Sequence, residues 1–175
     1  MPDTSDSPFD PERIFETLRR HGVRYVLIGG WAARLLGSPT VTVDIDIAYA
    51  RDMQNLERLA QALRELGARL RGVDETLPFR LDARTLKAGG NFTFTTDAGD
   101  LDILAEPAGA PDYEALERTA QPMDLGGLTV MVTSIDDLIA MKRAAGRPKD
   151  RIELEVLGAL REEIERAGGR VEGPP

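Results

Sequence analysis

Cysteine is absent from this chain and histidine occurs once. Disulfides, thiolate zinc sites, thiol nucleophiles and His-rich metal centres are therefore excluded, and a Ser-His pair has only His21 to draw on. That residue lies in "LRRHGV", where a helix is expected to end, and a cation near a helix C-terminus needs no chemistry to explain it. Aromatic residues make up 5% of the chain, which leaves little material for an aromatic-rich pocket. No apolar run is long enough to cross a membrane, and the acidic opening "MPDTSDSPFDPE" is unlike a signal peptide. The expected location is the cytoplasm.

What remains is an ordinary globular composition, 42% hydrophobic and 30% charged, over 175 residues. That length suits one domain with a small helical appendage. The net charge of −8 argues against indiscriminate binding to nucleic-acid phosphates. Positive charge is clustered, however. "KRAAGRPKDR" carries Lys142, Arg143, Arg147, Lys149 and Arg151, and "FRLDARTLK" carries Arg80, Arg84 and Lys87. Such stretches suit either local phosphate recognition or plain solvated helix surface.

The pattern along the chain reads as a mixed α/β (α+β) domain. Residues 1–8 are expected to be disordered. Asp10 and Pro11 are the N-cap and first position of a helix whose stripe is Ile14, Phe15 and Leu18. "RYVLI" reads as a strand that turns through "GGWAARLLG" into a helix. Leu56, Leu59, Leu63 and Leu66 recur at helical spacing. "FRLDA", "NFTFTT" and "DLDILAE" are strand candidates, a short helix follows at "PDYEALERTA", and "MDL" pairs with "LTVMV" around Gly126 and Gly127. Ser134 opens a helix with Asp137 three residues on, and a last helix is expected from Pro148 to Ala167.

One strand is anomalous. "TVTVDIDIAYA" (40–50) sets Asp44 and Asp46 in a β-branched run, although Asp is depleted in strands and rarely buried unpaired. Alternation puts both carboxylates on one face, with Val43, Ile45 and Ile47 expected on the other. Two anions held that close repel unless a cation lies between them. The readings are a divalent cation site or a half-exposed strand with a polar face. Asp102 is a second case of the same kind, in "GDLDIL", whereas Asp100 is assigned to the Gly99 turn. Gly29 and Gly30 stand at a strand-to-helix junction, where backbone N–H groups can approach a phosphate. Trp31, directly after them, is expected in the core or at the border of a ligand bound there.

The order apolar strand, Gly-Gly, helix, acidic D-x-D strand and third acidic strand resembles the polymerase-β-like nucleotidyltransferase superfamily. Gly29, Gly30, Asp44, Asp46 and Asp102 are the matching residues. The segment "VTSIDDLIAMKRAAGRPKDRIELEVL" resembles the AbiEii/MenT toxin-like branch, with Lys142 on one helix and Lys149-Asp150 opening the next. The likeness spans roughly residues 23 to 160. It implies a nucleotidyltransferase-like mixed β-sheet flanked by helices, with a core at 9–132, a helical segment at 133–168 packed on it, and a tail at 169–175. It further implies Mg²⁺ held by Asp44, Asp46 and Asp102, with Asp102 accepting the proton of the attacking hydroxyl. A nucleoside triphosphate would meet Gly29, Gly30, Thr42 and Lys142. Transfer to tRNA or another RNA, and an antitoxin protein as partner, are implied by the branch. Where that branch carries Arg-x-Thr, this chain has Thr40-x-Thr42, so phosphate charge would fall to Arg34, Arg80 or Lys142. Two rival readings stand beside this one. An antibiotic nucleotidyltransferase shares the "GGWA" entry and a similar aspartate strand, and an inert binding module would keep the fold without turnover.

Overall fold

In the computed structural model, which describes residues 8–168, Asp10 opens the first helix, α1 (Pro11–Arg20), by accepting from the Arg13 backbone N–H at 3.0 Å. Proline at the first helical position is pre-set for the helix and lacks a donor that would be orphaned there. Ile14, Phe15 and Leu18 are buried, as the 3.6-residue period requires. The segments 1–7 and 169–175 lie outside the described residues.

Strand β1 (Tyr25–Ile28) leads directly into α2 (Gly29–Leu35), and β2 (Asp44–Tyr49) follows a loop. Next come α3 (Met53–Glu65), the two-residue β3 (Arg69–Leu70), α4 (Ala83–Ala88), β4 (Asn91–Thr96) and β5 (Gly99–Leu104). The chain continues through α5 (Tyr113–Thr119), the hairpin β6 (Gln121–Leu125) and β7 (Leu128–Val132), and ends in α6 (Ile135–Ala145) and α7 (Asp150–Arg166). All the strands join one seven-stranded mixed sheet in the order β3-β4-β5-β2-β1-β7-β6. β2 is parallel to β5 and antiparallel to β1, and β1 is parallel to β7.

The two sheet faces differ in what covers them. One carries Leu27, Ile45, Ile47, Tyr49, Phe94, Leu101 and Ile103 into the main core, where they meet the leucines of α3 and the stripe of α1. Leu56, Leu59 and Leu63 are fully buried, and truncating any of them to Ala should cost about 2–5 kcal/mol. The other face holds a smaller cluster of Val26, Ile28, Ala48, Ala50, Tyr113, Leu116 and Met141. On β2 that face runs Asp44, Asp46, Ala48, so the carboxylates occupy the end of the sheet which the small cluster leaves uncovered. Among the described residues, no helix is long and apolar enough to cross a membrane.

Three expectations are corrected by the fold. "FRLDA" is not a strand: 79–82 is loop, and Asp82 caps α4 by accepting from Thr85 N at 2.8 Å. Val43 precedes β2 and is 69% exposed instead of filling the apolar face. Asp100 belongs to β5, one residue inside its start, not to a turn.

Candidate active site

The register of two parallel strands builds the site. Asp44 lies opposite Asp100 and Asp46 opposite Asp102, so all four carboxylates share one face. One carboxylate oxygen from each of Asp44, Asp46 and Asp102 lies within 4.8 Å of the others. Three oxygen donors gathered in this way could hold a metal ion, and the donor set is of the kind that a hard divalent cation takes.

The electrostatics of the three differ. Asp46 is pushed up to about 7, first by burial and then by the neighbouring charges of Asp44 and Asp102, with Lys142 and Arg147 opposing. Among the described residues it has no side-chain hydrogen bond or ion pair. Asp44 accepts from the Thr42 hydroxyl at 2.6 Å, which fixes its rotamer. Asp102 is also raised by burial, against the pull of the Arg71 guanidinium.

Glycine at 29 is a requirement of this packing. Its φ is +71°, a conformation L side chains rarely adopt, and a Cβ there would run into the Asp46 carboxylate. A Cβ on Gly30 would press against Thr42 at 3.0–3.2 Å. Both glycines line the cleft above the carboxylates, and the first turn of α2 has no side-chain cap. The cleft measures about 620 Å³ and is walled on its apolar side by Leu104, Leu138 and Met141.

Lys142 reaches this cleft from α6. Its ammonium donates to Glu153 at 2.6 Å and lies 3.5 Å from the buried Asp150. Thr40, at the position expected to carry Arg in the toxin-like branch, donates to the same Glu153 at 3.2 Å. Arg147 and Lys149 also line the cleft, and Arg147 pairs with Asp150 at 2.9 Å. The other two candidates for phosphate charge do not. The Arg34 guanidinium sits 5.2 Å from the centre of the Trp31 ring, and Arg80 pairs with Asp82 at 3.0 Å. Trp31 itself is half-buried and packs on Phe9 and Phe15 against the core. His21 is the C-cap of α1 and meets Glu65 at 2.5 Å, away from the carboxylates.

Sequence reasoning missed Arg71 and Glu153. Arg71 donates to Asp102 at 2.7 Å, and its Nε lies 3.2 Å from Asp100, near enough for an ion pair but too poorly aligned for a hydrogen bond. The one local signal was the alternation Arg69, Leu70, Arg71, which is short and ends at a glycine. Arg143 and Arg147, although four residues apart, do not share a helix face, because Gly146 closes α6 in the left-handed conformation between them.

Comparison with known proteins places this geometry. The family model for aminoglycoside-2''-adenylyltransferase matches residues 12–157. The lincomycin-bound lincosamide antibiotic adenylyltransferase LnuA is 16% identical, with 87% of this chain and 98% of that chain covered and a TM-score of 0.58. ANT(2'')-Ia in complex with adenylyl-2''-tobramycin is 18% identical, over 90% of this chain and 95% of that one, with a TM-score of 0.53. A nucleotidyltransferase-like protein from Paracoccidioides brasiliensis is 15% identical, over 87% of this chain and 77% of that chain, with a TM-score of 0.50. At these identities the structural matches speak for the fold. No curated protein matches the chain. The nucleotidyltransferase superfamily is thereby supported, and the AbiEii/MenT branch gains nothing. With the family model covering both aspartate strands, both glycines and Lys142, the chain is a nucleotidyltransferase enzyme and belongs to the aminoglycoside-2''-adenylyltransferase family.

Proposed function

We propose that this enzyme transfers a nucleoside monophosphate, adenylyl first among the candidates, from a nucleoside triphosphate to a hydroxyl of a small antibiotic-like molecule. The observation that carries the reading is the convergence of Asp44, Asp46 and Asp102 with Gly29, Gly30 and Lys142 on one cleft. The cleft volume, about 620 Å³, suits small-molecule ligands. The named contents of related structures, an adenylylated tobramycin and a bound lincomycin, point the same way.

The residues divide the work as follows. Asp44 and Asp46 would hold Mg²⁺, with Asp102 beside them, and the ion would neutralise phosphate charge at the reacting centre. Thr42 steadies Asp44 through its hydroxyl. Asp102 takes the proton of the acceptor hydroxyl as that oxygen bonds to the α-phosphorus and the bond to the β-phosphate breaks. Pyrophosphate leaves toward the Gly29-Gly30 backbone and Lys142, whose positive charge meets the charge that develops there. In this arrangement the core at 9–132 supplies the carboxylates and glycines, and the helical segment at 133–168 supplies Lys142. A cytoplasmic location, where nucleoside triphosphate is plentiful, goes with it.

The tRNA acceptor and antitoxin partner implied by the toxin-like branch draw no support from the comparisons, and the net charge of −8 works against a polyanionic acceptor. The experiment is incubation with each α-labelled nucleoside triphosphate and Mg²⁺ in the presence of an aminoglycoside, a lincosamide or total RNA. Label should appear on an antibiotic hydroxyl and vanish with Asp46→Asn. Label on RNA alone would overturn the acceptor assignment.

A further inference from the structure

The acidic face holds four carboxylates, two on each of two neighbouring strands, but a fixed cation touches only one side of the array. Arg71 follows β3 and is tied to β4 by its backbone N–H, which donates to Thr93 O at 2.9 Å. Its Nη2 donates both to Phe94 O at 2.9 Å and to Asp102 Oδ1 at 2.7 Å, and its Nε lies 3.2 Å from Asp100 Oδ2. Asp100 also accepts from Thr95 at 3.1 Å. Across the face the partners are fewer. Asp44 holds the Thr42 hydroxyl, and Asp46 has no partner among the described residues. Lys142 and Arg147, two of the cations that line the cleft, are engaged by Glu153 and Asp150.

Within the nucleotidyltransferase reading above, on which this inference rests, we propose that Arg71 is a positioning residue that divides the four carboxylates. It orients Asp102 as proton acceptor and confines the divalent ion to Asp44 and Asp46, so that Asp102 is not a ligand of that ion. The physical basis is charge and geometry together. A guanidinium is permanently charged and cannot give way by losing its proton. It occupies one oxygen of Asp102 with a charge-assisted hydrogen bond. A dication drawn onto Asp102 would face that guanidinium at close range, with like-charge repulsion in a partly buried setting where screening is weak. Asp46, by contrast, gains from a cation because no side chain among the described residues pairs with it directly.

The test uses Mn²⁺ as probe, with the full chain and no nucleotide, following free Mn²⁺ by electron paramagnetic resonance. Wild type should bind a single ion. Asp46→Asn should weaken binding at least about tenfold, whereas Asp102→Asn should change it less than about threefold, because only a ligand's charge is lost in full. Arg71→Met should tighten Mn²⁺ binding by about tenfold through loss of the opposing charge, and adding Asp102→Asn to it should remove the gain. Arg71→Lys, which keeps the charge, should retain the single-ion stoichiometry. Asp102→Asn as damaging as Asp46→Asn would overturn the division while leaving the metal site standing. Unchanged Mn²⁺ binding in Asp46→Asn would remove the metal site and this inference with it. If Arg71→Met fails to fold, the comparison of Asp46→Asn with Asp102→Asn decides alone.

Discussion

Gly29 lies so close over Asp46 that a Cβ on the glycine would occupy the space of the carboxylate, and its φ of +71° is itself closed to most side chains. The turn from β1 into α2 and the rotamer of Asp46 are therefore one structural unit. Gly29→Ala should destabilise the protein by about 1–3 kcal/mol from backbone strain. It should also erase the rise in melting temperature that Mg²⁺ and nucleotide together produce. Gly30→Ala, which meets Thr42 at 3.0 Å or more, should be milder in both respects. Thermal melts with and without ligand separate the two variants.

The pH dependence of the metal-free protein follows from Asp46. Its folded-state value, near 7, stands above the ordinary 3.8, so the folded state binds a proton that the unfolded state has released. That contribution is fully present below about pH 4 and is lost as pH rises through 7. Metal-free protein should thus lose on the order of a few kcal/mol of stability across that window from this group, with Asp102 acting in the same sense and lowered carboxylates such as Glu65 and Asp82 in the opposite one. Asp46→Asn should remove the component, leaving a variant more stable than wild type at neutral pH without metal. Denaturant melts at several pH values in chelator would show this. A wild-type to Asn difference that does not vary between pH 4 and 8 would contradict it.

Helices and central strands were legible because burial leaves a period in the sequence. The stripe of α1, the leucines of α3 and the alternation of β2 all follow it. The carboxylates were legible for the opposite reason, since they violate strand propensity and a violation signals function. What was hidden depends on pairing at long range. Arg71 meets Asp102 from 31 residues away and Glu153 meets Thr40 from 113 away, and no local pattern identifies either partner. "FRLDA" alternates like a strand, yet Asp82 at its end is a helix cap and Phe79 and Leu81 only lean on the core. Arg143 and Arg147 have helical spacing that Gly146 cancels. In these last two cases a helix boundary outweighed the periodicity.

Lys142 and Glu153 make a second separable pair. Lys142 faces the cleft but spends its charge on Glu153 at 2.6 Å. Lys142→Met should weaken nucleotide binding and lower stability by about 1–3 kcal/mol, because Glu153 and the buried Asp150 each lose a partner. Glu153→Gln should leave nucleotide binding intact or tighten it, since the ammonium is released toward the cleft. Titration calorimetry with a non-hydrolysable triphosphate distinguishes them. Equal weakening in both variants would mean that Glu153 itself contacts the ligand.

The acceptor can be read from salt and surface charge. Arg143 and Arg151 are exposed and stand clear of the cleft lining, while Arg147 is tied to the buried Asp150 and is unsuitable for charge reversal. A polyanionic acceptor would need that basic surface and would release counterions on binding, so its transfer rate at low substrate should fall steeply as salt rises. A small antibiotic hydroxyl acceptor makes few long-range contacts, and its transfer should depend on salt weakly. The expected outcome is therefore that Arg143→Glu and Arg151→Glu together change kcat/KM for an antibiotic acceptor less than about threefold, in keeping with the small worth of exposed charges. The same double variant would cripple transfer to RNA. Transfer to a lincosamide or aminoglycoside that collapses with the double variant, or an RNA product whose yield drops sharply between low and physiological salt, would place the acceptor on the basic surface instead of in the cleft.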